Sequence, residues 1–138
     1  MNRLITLLLI FLNGISCLLG QQFYFKKYQV EDGLSHNTVW CIMQDSYGFM
    51  WFGTSDGLNR FDGQEFQAYK NNRKDISSLG NNQVYTLCED SHKNIWIGTS
   101  KGIYLFNYYT EKFDLFNQAT EFGVLISSEV KKILLTRN

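Results

Sequence analysis

The stretch Asp45–Gly63, DSYGFMWFGTSDGLNRFDG, has a near copy at Asp90–Asn107, DSHKNIWIGTSKGIYLFN. The copies align without a gap over residues 37–61 and 82–106, and each residue lies 45 positions before its partner. Duplication at a fixed spacing is typical of repeat architectures, in which each copy is one supersecondary unit. The signature of the repeat comprises Asp45, Gly48, Trp51, Gly53, Thr54, Gly57 and Phe61 in the first copy and Asp90, Trp96, Gly98, Thr99, Gly102 and Phe106 in the second.

Each copy contains four short runs rich in aromatic and branched residues, with turn residues between them. In the first copy these runs are TVWCIM, FMWFG, GLNRF and EFQAYK. No helical periodicity competes with them, so each copy is predicted to form a four-stranded antiparallel sheet. The second and third runs are apolar at nearly every position, which indicates strands covered on both faces. Radial stacking of such sheets predicts the all-β class and, within it, β-propeller blades, with Trp51 and Trp96 filling the space between blades.

The turns of the repeat can be interpreted chemically. Asp45 and Asp90 each precede a turn and are predicted to cap its backbone, while a carboxylate pair for acid and base chemistry is the alternative interpretation. Gly48 can take the positive φ that a tight reversal needs. Lys93 stands at that position in the second copy and Asn94 follows it, so the left-handed position is predicted to move by one residue.

Composition and charge exclude several classes of protein. The chain has 138 residues, 44% of them hydrophobic and 16% aromatic, which is enough to build a core and argues against disorder. Thirteen basic residues balance thirteen acidic ones, so nucleic acid is not an expected partner. His36 and His92 lie in turns with no metal ligand at suitable spacing. Accordingly, no catalytic residue, metal site or cofactor is predicted.

The first 20 residues carry one positive charge followed by a short apolar run. This pattern predicts a secretory signal peptide, cleaved after Gly20, and therefore a periplasmic protein. An uncleaved N-terminal anchor is the alternative, although the run is shorter than the about 20 apolar residues of a spanning helix. Cys17 adds a lipoprotein as a minor option.

The other two cysteines, Cys41 and Cys88, lie in matching strands of different copies. Strands of sheets packed face to face lie about 10 Å apart. That separation is too large for a disulfide bond. Both residues are therefore predicted to be buried free thiols that pack as small apolar side chains.

Asn37–Gly63 and Asn82–Phe106 resemble the two-component regulator propeller repeat, with a valine-led strand, Asp, a turn, Trp, Gly-Thr and a later Gly before an aromatic residue. Tyr24–Asn37, YFKKYQVEDGLSHN, also resembles the start of the sensor region of bacterial hybrid two-component regulators. The resemblance implies propellers outside the inner membrane, followed by a membrane helix, a histidine kinase and receiver modules. It also implies sensing of oligosaccharides from polysaccharide breakdown.

The domain organisation predicted from these patterns is a truncated sensor region. Val130 aligns with Val84, which predicts the first strand of an incomplete third blade. Since propellers have about four to eight blades, the chain is predicted to be an N-terminal fragment. The expected segments are a signal peptide or anchor (1–20), a closing strand and turn (21–36), blade 1 (37–70), a loop (71–81), blade 2 (82–116), and a loop with the third blade's first strand (117–138).

Three functions remain open at this point. The first is part of a non-catalytic, carbohydrate-responsive sensor domain whose kinase lies outside this sequence. The second is a fragment of a secreted lyase or glycosidase, and the third is an interaction module that completes its ring as a homo-oligomer. Membrane contact is expected only through an uncleaved N-terminal segment or a missing C-terminal part. Four residues break the apolar pattern and are candidate ligand contacts, with ordinary packing as the alternative for each: Tyr47, Arg60, Tyr108 and Tyr109.

Overall fold

The computed structural model describes residues 23–116 and 129–134. Two four-stranded antiparallel sheets, each in sequential strand order, make up its regular structure, so the predicted all-β class and four-stranded blades are confirmed. Among the described residues no helix is long and apolar enough to cross a bilayer. The predicted signal peptide, Cys17 and the loop at 117–128 lie outside the described residues. The strands are β1 (Val39–Gln44), β2 (Met50–Thr54), β3 (Gly57–Phe61) and β4 (Phe66–Tyr69) in blade 1, and β5 (Val84–Glu89), β6 (Ile95–Thr99), β7 (Gly102–Asn107) and β8 (Lys112–Leu115) in blade 2.

The reversal between the second and third strands explains why the repeat contains Gly-Thr and a later glycine. Thr54 pairs with Gly57 across the ladder, and the Thr54 hydroxyl donates to the Gly57 carbonyl and accepts from the Asp56 amide. Gly57 has φ 129°, a conformation that strongly favours glycine. Thr99 and Gly102 repeat this arrangement in blade 2. The signature therefore encodes the hairpin.

The hydrophobic core lies mainly between the two sheets. Trp51 is fully buried at its centre, and its ring lies 5.1 Å from that of Phe106 in the other blade. The predicted role of Trp51 between blades is therefore observed. Trp96 lies on the face of blade 2 that points away from blade 1 and packs against Phe116 at 4.8 Å, where it is only partly buried. The buried members of the core are Trp51, Leu58, Leu79, Val84, Ile95, Ile97, Tyr104, Phe106 and Phe113.

A valine packed on a glycine joins one blade to the next. A Cβ atom on Gly53 of β2 would lie 2.7 Å from a methyl carbon of Val84, the first residue of β5. A Cβ atom on Gly98 of β6 would lie 2.9 Å from the carbonyl oxygen of Val130. The Val130 amide also donates to the Thr99 carbonyl at 2.8 Å. Val130 thus occupies the position of Val84 in a third step of the repeat, although residues 129–134 form no strand.

The segment before blade 1 differs from the prediction. Residues 23–29 form no strand, and a single 3₁₀ turn, Val30–Asp32, follows them. The predicted closing strand is absent from this part of the chain because no sheet edge pairs with it, and Tyr24 remains 93% exposed. Leu34 is buried five residues before β1, as Leu79 is five residues before β5. The repeat therefore extends into the segment that leads to each inner strand.

Cys41 and Cys88 are free thiols, as predicted. The prediction that both are buried is wrong, because both residues are partly exposed. They lie on β1 and β5, which form the inner edges of their sheets and have a neighbouring strand on one side only. Burial nonetheless raises the pKa of the Cys41 thiol to about 11, so this thiol is protonated at neutral pH.

Candidate functional site

A cleft of about 430 Å³ opens between the blades at the end where β1 turns into β2. Because the strands run up and down in the same order in both blades, the β5–β6 and β7–β8 turns meet at this end. Three of the four predicted ligand contacts, Tyr47, Tyr108 and Tyr109, line the cleft, whereas Arg60 lies outside the lining. The polar part of the lining consists of His92, Lys93, Asn94, Asn107 and Asp114.

Asp45 fixes the turn that carries Tyr47. Its carboxylate is 5% exposed, and one oxygen accepts from the backbone amides of Tyr47 and Phe49, both at 2.9 Å. The other oxygen accepts from the Trp51 indole at 2.6 Å. Both oxygens of Asp45 are therefore occupied by donors of its own blade, and the residue does not line the cleft.

Asp90 performs the same task in blade 2. One of its oxygens accepts from the backbone amides of His92 and Asn94, and the other accepts from the Trp96 indole and the Asn94 side-chain amide, both at 2.8 Å. Burial raises the pKa of Asp90, but the hydrogen bonds from Trp96 and Asn94 outweigh it and lower that pKa to about 2. The two aspartates are thus turn caps in this geometry, and neither presents a free oxygen to the cleft.

Tyr108 forms a wall of the cleft and joins the blades. Its hydroxyl donates to Asp45 at 2.5 Å, and its ring lies 5.0 Å from Tyr47 and 6.3 Å from Trp51. Burial, followed by the hydrogen bond to Asp45, raises the pKa of the Tyr108 phenol well above its usual range. Tyr108 is therefore held in one orientation, with its hydroxyl engaged by Asp45.

Arg60 is a structural contact between the blades. Its guanidinium donates to Glu111 of blade 2 at 2.9 Å and to Gln67 of its own blade at 2.6 Å. It also lies over the rings of Phe49 and Trp51, at 4.9 and 5.9 Å. Arg60 is thus held by partners in both blades and does not line the cleft, so the structure favours packing over ligand contact for this candidate.

Tyr47 and Tyr109 are the two candidates that present free surface, at 57% and 100% exposure. The Lys93 ammonium lies 4.8 Å from the Tyr47 ring centre. Lys93 has φ 67°, so the prediction that the left-handed position moves to Asn94 is wrong. The backbone and side-chain hydrogen bonds from Asn94 to Asp90 fix Asn94, so the left-handed conformation of the turn stays at Lys93.

The histidines have local structural roles. The His36 ring accepts from the Thr38 amide at 2.9 Å, and the His92 amide donates to Asp90 at 2.8 Å. Within residues 23–116 and 129–134, no group of histidine, cysteine and carboxylate side chains could hold a metal ion.

Sequence reasoning missed a second cleft, of about 420 Å³, lined by Trp40, Tyr85, Glu129 and Lys131. The available signal was that Trp40 and Tyr85 occupy equivalent positions in the two copies and are both aromatic. Both residues lie within runs whose composition predicts a strand, and a strand prediction alone does not mark a residue as part of a cleft.

Comparison with known proteins identifies the repeat. Residues 33–56 and 78–101 match the family model of the two component regulator propeller. Both blades contain two-component regulator propeller repeats. The resemblance predicted from the sequence is therefore confirmed, and each propeller repeat runs from the buried leucine segment through the Gly-Thr hairpin. Histidine kinase P4 of Formosa agariphila is 47% identical over 60 residues, which are 44% of this chain and 4% of that kinase.

Solved structures share the fold of this chain. The extracellular domain described as that of a hybrid two component system from B. thetaiotaomicron matches with TM-score 0.66 and 35% identity, over 75% of this chain and 15% of that one. The extracellular domain of a one component system from the same organism matches with TM-score 0.58 and 23% identity, over 71% of this chain and 14% of the other. At that identity the match shows the fold alone. The chain thus spans a small part of the length of each protein that it matches.

Proposed function

We propose that this chain belongs to the extracellular sensor region of a hybrid two-component system, to which it contributes two propeller blades. The observation that carries the proposal is the 35% identity and TM-score of 0.66 to the extracellular domain of one such system. The 47% identity to part of a histidine kinase supports it independently. Export through residues 1–20 is part of the proposal.

The proposed signal is an oligosaccharide, bound in the cleft at Tyr47 and Tyr109. A sugar ring has an apolar C–H face that can pack on an exposed aromatic ring, and hydroxyls that need donors and acceptors around it. Beside the two tyrosines, the side-chain N–H groups of Asn107 supply donors and the side-chain oxygen of Asn94 supplies an acceptor, since the Asn107 oxygen already accepts from the Tyr109 and Thr110 amides and the Asn94 side-chain amide donates to Asp90. A concave site with aromatic walls and a few convergent polar groups is typical of small-ligand recognition.

The proposed role of the chain is binding without catalysis. Asp45 and Asp90 are the carboxylates that a glycosidase or lyase interpretation would use, and both accept hydrogen bonds from the backbone amides of their own turns. Signalling would require the ligand to favour one of two arrangements of the whole sensor region. Ring completion by a homo-oligomer remains the alternative in which the chain is an interaction module.

The test is a binding measurement on the full 138-residue chain with cellohexaose, xylohexaose, mannohexaose and an oligoguluronate as probes. We expect at least one to bind saturably by calorimetry, and Tyr109→Ala to weaken that binding about fivefold or more. Tyr24→Ala, which removes an equally exposed ring outside the cleft, is the matched control. Failure of every probe to bind contradicts the sensor proposal, and the appearance of shortened or unsaturated products supports the enzyme alternative.

A further inference from the structure

Both inner strands contain a β-bulge at the same position. The ladder between β1 and β2 skips Trp40, and the ladder between β5 and β6 skips Tyr85. A bulge bends its strand and re-aims the side chain of the unpaired residue, and bulges are enriched at sheet edges and next to active sites. In each copy the repeat therefore places an aromatic side chain at the inner-strand position that has no partner residue on the neighbouring strand.

Trp40 is exposed and held in place. Its side chain is 56% exposed, yet its indole nitrogen donates to the Ser55 hydroxyl at 2.9 Å. Its ring lies 6.0 Å from the ring of Tyr85 at an interplanar angle of 68°. Tryptophan and tyrosine carry much of the energy of binding surfaces, and an aromatic ring fixed before binding loses little entropy when a ligand arrives.

Charged side chains complete the surface around the two rings. Glu129 and Lys131 line the same cleft of about 420 Å³, and their charged groups lie 3.4 Å apart. Lys131 follows Val130 directly, as Tyr85 follows Val84. A carboxylate and an ammonium beside an indole offer acceptors and donors next to an apolar face, which is the complement of a pyranose ring.

We infer that Trp40, Tyr85, Glu129 and Lys131 form a second carbohydrate-binding surface, the bulge platform, on which one sugar ring stacks against the Trp40 indole. This inference rests on the proposed oligosaccharide-sensing function and adds a separate site to it. The bulge platform lies at the end of the blades where β2 turns into β3, as the bond from Trp40 to Ser55 requires. The cleft at Tyr47 and Tyr109 lies at the opposite end.

The three tryptophans of the chain provide a direct test. Each indole N–H has a different acceptor: Ser55 for Trp40, Asp45 for Trp51 and Asp90 for Trp96. They should therefore give three indole signals in a ¹H–¹⁵N spectrum, assigned by loss of one signal in Trp40→Phe. The Trp40 signal reports on the bulge platform. The Trp51 signal reports on the first cleft, because Tyr108 packs on that ring.

The full chain is titrated with the four oligosaccharides named above. We expect the Trp40 signal to shift saturably with a binding probe, Trp40→Ala to weaken that binding step at least about tenfold, and Trp40→Tyr, which keeps a ring, to retain most of it. The Trp51 and Trp96 signals of Trp40→Ala verify that the variant is folded. Binding that moves only the Trp51 signal and survives Trp40→Ala overturns the bulge platform but leaves the sensor proposal intact. If no probe binds, both are overturned.

Discussion

The Tyr108 phenol donates a hydrogen bond to the Asp45 carboxylate, 63 residues earlier in the chain and in the other blade. The segment that joins β7 to β8 is longer than the one that joins β3 to β4, because Phe106 and Phe113 are two positions further apart than Phe61 and Phe66. This longer segment supplies Tyr108 and also Glu111, which pairs with Arg60. The insertion therefore fastens blade 2 to blade 1 beside the cleft.

Tyr108→Phe should destabilise the fold. The change removes one hydrogen bond to a buried carboxylate that keeps three other donors, so we expect a loss of about 1.5–3 kcal/mol in the free energy of unfolding. Urea denaturation followed by tryptophan fluorescence measures it. Tyr109→Phe is the matched control and should change stability by less than about 0.5 kcal/mol, since this side chain is fully exposed. Equal effects of the two variants would contradict the bracing role.

Stability should fall at alkaline pH. Burial raises the pKa of Tyr69 to about 12, and burial together with the hydrogen bond to Asp45 raises the pKa of Tyr108. The pKa of a tyrosine in the unfolded chain is about 10. Above pH 10 the folded state therefore holds more phenol protons than the unfolded state, so the free energy of unfolding decreases as pH rises further. Urea midpoints at pH 9, 10 and 11 measure the slope. Tyr108→Phe should reduce this slope, and an unchanged slope would refute the assignment.

Gly53→Ala should separate the blades. The added methyl group would meet the Cys41 sulfur of its own blade and, at 2.7 Å, a methyl carbon of Val84 in the next blade, and overpacking of this kind costs about 1–3 kcal/mol. Val84→Ala removes that carbon and leaves a cavity in the core. In the double variant the two costs should be less than additive, because the cavity relieves the contact with Val84 and leaves only the contact with Cys41. Strictly additive costs in denaturation experiments would show that Gly53 and Val84 do not determine the spacing of the blades.

Lys93→Gly should stabilise the chain by up to about 1 kcal/mol. Lys93 has a positive φ, which costs a residue with a Cβ atom more than it costs glycine. The loss of the Lys93 contact with the Tyr47 ring offsets part of the gain. The melting temperature of Lys93→Gly should therefore rise, and that of the exposed control Lys101→Gly should fall slightly. A lower melting temperature for Lys93→Gly would mean that the cation contact outweighs the backbone strain.

The local rules of the repeat made the fold predictable from the sequence. Asp45 caps a turn, Trp51 donates its indole N–H to that same Asp45, and Thr54 closes a hairpin, all through bonds within one blade, and a spacing of 45 residues repeats all three. Residues with the same local role recur in register, so the strands and their order follow from composition and turn chemistry. The contacts that break this symmetry were harder to infer.

The candidate site was only partly predictable because it depends on contacts between the blades. Arg60 stood out as a charged residue in an apolar strand, but its partner Glu111 lies in a turn of the other blade that no local pattern links to it. Trp40 could not be identified from the sequence, because a bulge depends on the pairing of two strands and is not visible in the composition of one strand. Lys93 kept the left-handed position because Asn94 is fixed by Asp90.

The valine-on-glycine contact between successive blades has a direction. In both contacts a valine from the later part of the chain packs onto a glycine on the second strand of the preceding blade, Val84 onto Gly53 and Val130 onto Gly98. Such an interface joins two different surfaces, so each added unit recreates the surface that it covers. A gene segment encoding one unit can therefore be duplicated in tandem without changes to the neighbouring units. This polarity is the structural reason why a 45-residue repeat can occur twice in one chain.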